Sequence, residues 1–384
     1  MKDRIYLDHA ATTPVSAKAL EAMLPFFSEC WGNPSAVHGT GREARRAVET
    51  ARKQVAAAVG ARPEEICFTS GGSESDNLAL KGAAFALKQK GRHIITSAVE
   101  HHAVLNACAW LEKQGFSVTR VLPDAVGRID PESVRKSIRE DTILISVMTA
   151  NNEIGTIEPV EEIGAIAREK GILFHTDAVQ AAGMIPLDVN RMNADLLSLS
   201  AHKFYGPKGA GALYIRKGTR LESLIHGGEQ ERGLRAGTEN LPGIVGMGAA
   251  IGEAVSHLRE NAEKVRKLRD ILTEGILSGI PDVRLNGPRE GRLPNNCSFV
   301  FDRIDGEALL LRLDLEGIAA SGGSACTAGS RESSHVLRAV GLSEREARGS
   351  LRMTVGTGNT DDEIRETIGK VKEIAADLRS MFRG

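Results

Sequence analysis

The chain has 384 residues, 41% of them hydrophobic, and 49 basic against 50 acidic side chains leave a formal charge of −1. That length accommodates two domains with a substantial core, while the even charge gives no basic face for nucleic acid and no stretch approaches the ~18 uncharged apolar residues of a membrane span. Five cysteines at 30, 67, 108, 297 and 326, with no CxxC pair, argue against a disulfide framework or a zinc site, and no metal is expected.

In chain order, Met1-Lys2-Asp3-Arg4-Ile5-Tyr6-Leu7-Asp8 lacks the apolar core of a secretory signal, which together with reduced thiols predicts a cytoplasmic protein. From residue 60 to 215, β-type runs alternate with helical ones. Residues 66–69, 94–97, 118–121, 143–147, 172–174, 196–199 and 211–215 are predicted strands, and 77–88, 103–114 and 160–170 are predicted helices. The alternation predicts a mostly parallel, seven-stranded α/β sheet covered on both faces. Next comes a proline-free helical stretch from about Ile244 to Leu277, with a hinge expected near 255–265. A strand at 296–301, a helix at 306–315, a Gly/Ser loop and a closing helix from about Asp361 follow. They predict a smaller α+β domain made of residues 1–14 and 259–384, beside a large domain of 15–258.

The chemistry concentrates where the large-domain strands end, the edge at which open α/β sheets bind ligands. Lys203, in Ser200-Ala201-His202-Lys203, lies 26 positions after Asp177, in His175-Thr176-Asp177-Ala178-Val179-Gln180. Both follow runs that read as adjacent buried strands. A lysine able to condense with an aldehyde, plus a carboxylate able to keep a ring nitrogen protonated, is what pyridoxal phosphate asks of a protein. A surface lysine with a helix-capping aspartate is the plainer alternative. Thr69-Ser70-Gly71-Gly72-Ser73-Glu74-Ser75-Asp76-Asn77 passes from strand to helix, so its free N–H groups favour an anion; a Gly-Gly turn with a serine cap explains the same residues. In Glu100-His101-His102, an imidazole can stack on a pyridine ring or relay a proton, or else cap a helix. Asn151-Asn152-Glu153 and Gln180 offer amide donors at strand ends.

Cys67 and Cys297 sit in apolar strands and Cys108 in an apolar helix, which predicts buried, inert thiols. Cys326 differs: Ala320-Ser321-Gly322-Gly323-Ser324-Ala325-Cys326-Thr327-Ala328-Gly329-Ser330 offers nothing to bury it. A reactive thiol on a pliable arm is the reading that composition favours. Arg352, inside the apolar Gly349-Ser350-Leu351-Arg352-Met353-Thr354-Val355, calls for an anionic partner, either a ligand carboxylate or a structural acid.

Taken together, these motifs resemble the group I cysteine desulfurases of the NifS/IscS type, which are fold type I pyridoxal-phosphate enzymes with the class V aminotransferase fold. The likeness runs from Tyr6-Leu7-Asp8-His9-Ala10-Ala11-Thr12-Thr13-Pro14 to about residue 360. It includes Gly32-Asn33-Pro34-Ser35, Gly237-Thr238 and Ser324-Ala325-Cys326-Thr327. The resemblance implies that Lys203 carries the cofactor, Asp177 pairs with its pyridine nitrogen, His101 stacks on its ring and Gln180 approaches its phenolic oxygen. Gly72, Ser73, Ser200 and His202 would hold the phosphate, with Thr238 of the partner subunit in a homodimer. Asn152 and Arg352 would receive the carboxylate of L-cysteine. Either Lys203 or His101 would take the substrate's Cα proton. Cys326 would accept its sulfur and pass it to an acceptor or iron–sulfur scaffold protein. Selenocysteine lyase and aminotransferase are the enzymatic alternatives on the same scaffold, and an idle scaffold or relay subunit is the non-enzymatic one. The chain departs from the family pattern at Ala201, Gly322, Ser333 and Thr357, where glycine, serine, proline and a second arginine are common, and in lacking a longer C-terminal tail.

Overall fold

A computed structural model describes residues 4–322 and 333–381; Cys326 lies outside the described residues. The strands in chain order are β1 (Ile5–Tyr6), β2 (Ile66–Thr69), β3 (His93–Ser97), β4 (Ser117–Val121), β5 (Thr142–Ser146), β6 (Leu173–Asp177), β7 (Leu196–Ser200), β8 (Gly211–Ile215), β9 (Val283–Leu285), β10 (Asn296–Phe301), β11 (Ile318–Ala319) and β12 (Ser350–Thr354). Among the described residues, seven of them form one sheet in the order β2-β8-β7-β6-β5-β3-β4. β8 pairs antiparallel with both β2 and β7, and every other pair is parallel. Six strands therefore point the same way, and their carboxyl ends share one edge. The chain steps outward from β3 to β4 and then returns to the far side of β3 with β5, which makes the switch point where such sheets open a crevice. The sheet is buried on both faces because βαβ crossovers place helices there; β2, β3, β5, β7 and β8 are buried throughout.

Local rules account for the punctuation. The helix Val160–Lys170 ends at Gly171 in the left-handed conformation (φ +66°), which delivers the chain into β6. The helix Pro131–Ser137 starts on Asp130, whose carboxylate accepts from the amides of Glu132 and Ser133, with proline at the first helical position. Gly211, which opens β8, has no room for a side chain, since a Cβ there would lie 2.5 Å from the Gly71 Cα. That contact presses the turn after β2 against the start of β8.

A second core gathers Ile5, Leu7, Val265, Leu272, Phe299, Leu309, Leu351 and Ile364 around the three-stranded sheet β12-β10-β9. β1 pairs in parallel with β11, and Asp8 bridges to Thr354, so the N-terminal segment is tied to this second core before it enters the large-domain edge.

One expectation is corrected. The helical stretch expected from about Ile244 to Leu277 is two helices, Leu241–Ser256 and Leu258–Gly279, bent by 74°. The break falls at His257 (φ −112°, ψ 15°), with no proline or glycine to announce it. Among the described residues, no single helix is long and apolar enough to cross a membrane.

Candidate active site

The pocket at the shared strand edge has a volume of about 420 Å³, within the usual range for small-molecule sites. Lys203 follows β7 on a short 3₁₀ turn, Ala201–Lys203. Its Nζ donates to the carbonyls of Ala10 and, at 2.7 Å, of Ala11. The N-terminal segment that supplies those carbonyls is fixed to the same turn. Thr13 N and Oγ1 donate to the His202 carbonyl at 2.9 and 3.0 Å, and the Tyr205 amide donates back to Thr13 Oγ1 at 2.8 Å. Tyr205 holds a left-handed backbone (φ +64°), a strained state that persists where its surroundings over-determine it. Here the Ser16 amide donates to its carbonyl at 2.9 Å and the Thr357 amide to its hydroxyl at 2.8 Å.

Asp177 ends β6, beside Ser198 of β7. Burial raises its pKa to about 6, opposed by the Val179 amide, which donates to Oδ1 at 2.9 Å, and by the Lys203 cation. Both of these contacts favour the carboxylate form. His101 does two things at once. It caps the helix His102–Lys113 by accepting from the Ala103 amide at 3.1 Å through Nδ1, and it lines the pocket. Burial, Lys203 and His102 push its pKa down to about 4, so the ring is neutral, with its remaining proton on Nε2. His202 is likewise lowered to about 4, by burial and then by Lys203 and Lys208, and its Nδ1 faces Thr12 Oγ1 at 3.1 Å. Gln180 donates to the Ala10 carbonyl at 3.0 Å.

Opposite the acid, Gly72 and Ser73 open the helix Gly72–Leu87, whose first amides have no intrahelical acceptor. Gly71 (φ +156°) lets the turn bend beneath Ser200, and a Cβ on Gly72 would lie 2.7 Å from Val179 Cγ2. Arg352 is 1% exposed; its Nη2 donates to Asp8 Oδ1 at 2.9 Å and its Nη1 to the Asn152 carbonyl at 3.1 Å, while its Nε has no partner among the described residues. Of the site residues expected from sequence, Lys203, His101, Gly72, Ser73, Asp177, Gln180, Ser200, His202, Asn152 and Arg352 all line this one pocket. Thr238 is not among the lining residues of its own chain.

A cofactor with an aldehyde, a basic ring nitrogen and a phosphate fits these donors. The pocket holds the Lys203 amine, buried carboxyls that include Asp177 at the end of β6, and a glycine-rich helix start flanked by two side-chain donors, all on one strand edge. Among the described residues, no group of His, Cys, Asp or Glu could hold a metal ion.

Several residues in or beside the pocket carry no sequence signal for their place. Asp8, tied to Arg352, reads as one more acid near the N-terminus. Glu153 is buried and receives a hydrogen bond from the Ser334 hydroxyl; burial raises its pKa to about 7 against the opposing pull of Arg352. His335 faces the Glu100 carbonyl through Nε2 at 2.9 Å, and its ring lies 4.6 Å from that of His102. The Gly/Ser segment containing Cys326 is thus bounded by Ser321, backbone-paired with Arg352 at 3.1 and 2.7 Å, and by Ser334 on Glu153. Burial pushes the Cys67 and Cys108 thiols up to about 12 and raises that of Cys297; the Glu43 carboxylate raises that of Cys30. No thiol among the described residues is activated.

The aminotransferase class-V family profile matches residues 5–366. A cysteine desulfurase IscS of Dictyoglomus turgidum is 54% identical over 381 residues, which cover 99% of this chain and 97% of that one. Another, of Methanosarcina thermophila, is 54% identical over 377 residues, covering 98% and 93%. Among solved structures, a NifS-like protein superposes with a TM-score of 0.92 at 42% identity, covering 97% of this chain and 99% of its own. The structure of SspA in complex with cysteine gives a TM-score of 0.83 at 42% identity, with coverages of 93% and 100%.

Proposed function

Since the chain belongs to the class-V aminotransferases and within them is a pyridoxal-phosphate-dependent cysteine desulfurase, we propose the roles its own residues take in that reaction. The observation that carries the assignment is the convergence of Lys203, Asp177 and Arg352 on one pocket. Lys203 would hold the cofactor covalently, Asp177 would face its ring nitrogen, His101 would lie on its ring and Gln180 would approach its phenolic oxygen. Gly72, Ser73, Ser200 and His202 would take the phosphate. When bound, pyridoxal phosphate supplies the electron sink that lets the Cα–H bond of L-cysteine break. Arg352 and the Asn152 side chain would receive the substrate carboxylate. Lys203 Nζ, kept beside the pocket by the Ala10 and Ala11 carbonyls, is placed to take the Cα proton once it is a free amine; His101 is the alternative base, and to take that proton it would first have to release the Ala103 amide from Nδ1. The Cys326 thiolate would then attack the substrate sulfur. The Cβ–S bond breaks, its electron pair stays with carbon, which is protonated to give alanine, and the sulfur remains on Cys326 as a persulfide.

We further assign residues 15–258 to a large domain and 1–14 with 259–384 to a small one; the second core supports this division, while Leu293, Val336, Leu337, Val340 and Ala347 pack with the large-domain residues. Thr238 of the partner subunit would complete the phosphate site in a homodimer. The exposed run Leu20, Leu24, Phe27, Trp31 and Val37 offers an apolar face for such a partner. Delivery of sulfur to an acceptor such as an iron–sulfur scaffold protein, in a reducing cytosol, suits a reaction that keeps a free thiol reactive.

The test is direct. Purified holoenzyme given L-cysteine and a reductant should release alanine and sulfide in equal amounts. Keto acid in place of alanine would point to an aminotransferase, and strong preference for selenocysteine, with cysteine inert, to a lyase. Arg352→Leu should raise the KM for L-cysteine, because one charged hydrogen-bonding partner of a carboxylate is worth about 1.5–3 kcal/mol, about 10- to 150-fold. Cofactor absorbance should be unchanged in that variant; an unchanged KM would remove Arg352 from the substrate site.

A further inference from the structure

A second carboxyl lies behind Asp177 that the reaction above does not use. Asp76, in the first two turns of Gly72–Leu87, lines the pocket and is 1% exposed. Among the described residues its Oδ1 has no hydrogen-bond partner, and the basic group within ion-pairing distance is His175, whose Nε2 is 3.6 Å away. That imidazole is not a cation. It is fully buried on β6, with Nδ1 facing Ser146 Oγ at 2.8 Å and Nε2 facing Ser198 Oγ at 3.0 Å, and burial pushes its pKa down to about 3.

The other charged groups bearing on Asp76 are Asp177 on β6 and Glu100 after β3, both acids, and both disfavour a negative charge there. The Lys203 cation, from the turn after β7, acts instead on Asp177, which also accepts the Val179 amide. Two buried carboxyls that sense each other do not both ionise, and the proton stays on the one with fewer donors. By that criterion the proton belongs to Asp76. The Ser198 hydroxyl also bears on Asp76 and, as a donor, favours its charged form, but it is a neutral group that faces His175 Nε2 as well, at 3.0 Å, whereas Asp177 has both a backbone amide and the Lys203 cation.

We propose that Asp76 is a buried neutral carboxylic acid, a positioning residue whose retained proton leaves Asp177 as the anion facing the cofactor nitrogen. The inference rests on the cofactor assignment to this pocket, but its primary readout does not. An ionised Asp76 would set a second negative charge behind Asp177, draw a proton onto that residue and cost the pyridine nitrogen its counter-charge.

Infrared difference spectra of wild type minus Asp76→Asn, both as holoenzyme at pH 7.5, are expected to show loss of a protonated-carboxyl C=O band. Asp76→Ala should lose the same band, which guards against misfolding of either variant. The pH titration of cofactor absorbance in Asp76→Asn should follow wild type, because one neutral group replaces another. Loss of a carboxylate band, or a shift of that titration by more than about one pH unit, would overturn the proposal. The protonated band is expected in apoprotein as well, so failure of the cofactor assignment and failure of this inference are separately visible.

Discussion

Lys203→Ala is expected to lower cysteine-dependent sulfide release by at least about 10³-fold, since it removes both the covalent tether and a base, and positioned proton transfer alone contributes about 10²- to 10⁴-fold. The pocket explains why no neighbour replaces it. His101 and His202 are held neutral by burial, with pKa values near 4, and their hydrogen bonds to the Ala103 amide and to Thr12 fix their rings. The variant should fold, because the Ala10 and Ala11 carbonyls lie on a segment also held by Thr13. It should bind pyridoxal phosphate reversibly, losing it on gel filtration where the wild type keeps it. Turnover within tenfold of wild type would show that another amine does the work.

Cys326→Ala should abolish sulfide release while leaving the cofactor in place and the spectral response to L-cysteine intact. Removing the acceptor leaves the substrate Cβ–S bond with no nucleophile to take its sulfur, so the reaction stops after substrate binding and Cα deprotonation. None of the four described cysteines can substitute. Three are buried with raised pKa values, and Cys30 sits against the Glu43 carboxylate, which disfavours its thiolate. The check is sulfide assay beside mass measurement of a cysteine-treated, alkylated sample. Wild type should carry one extra sulfur on the peptide containing Cys326, and the variant none. Sulfide release from Cys326→Ala at the wild-type rate would reassign the acceptor.

Much of the sheet is legible in the sequence because its strands are short, apolar and bounded by turns. Residues 66–69, 211–215 and 296–301 read directly as β2, β8 and β10. The break at His257 falls within the hinge expected at 255–265, but its sharpness is not legible, since neither proline nor glycine marks it. Among the pocket residues, Lys203 and Asp177 declare themselves because both end buried strands and carry charge. Asp76 does not, because an acid in the first turns of a helix is the ordinary expectation, and only the fold shows that it faces inward. Ala10 and Ala11 lie in the N-terminal motif, but nothing in the sequence says that their carbonyls face Lys203. They reach Lys203 across more than 190 residues, through a segment secured to the second core by Asp8 and Thr354.

Trapping the cofactor tests the central assignment most directly. The holoenzyme is reduced with borohydride, digested with trypsin and mapped by mass spectrometry. The reduced pyridoxyl group is expected on Lys203 and on no other residue. A pyridoxyl group on Lys208 or any other lysine, or a cofactor that washes out after reduction, would contradict the account.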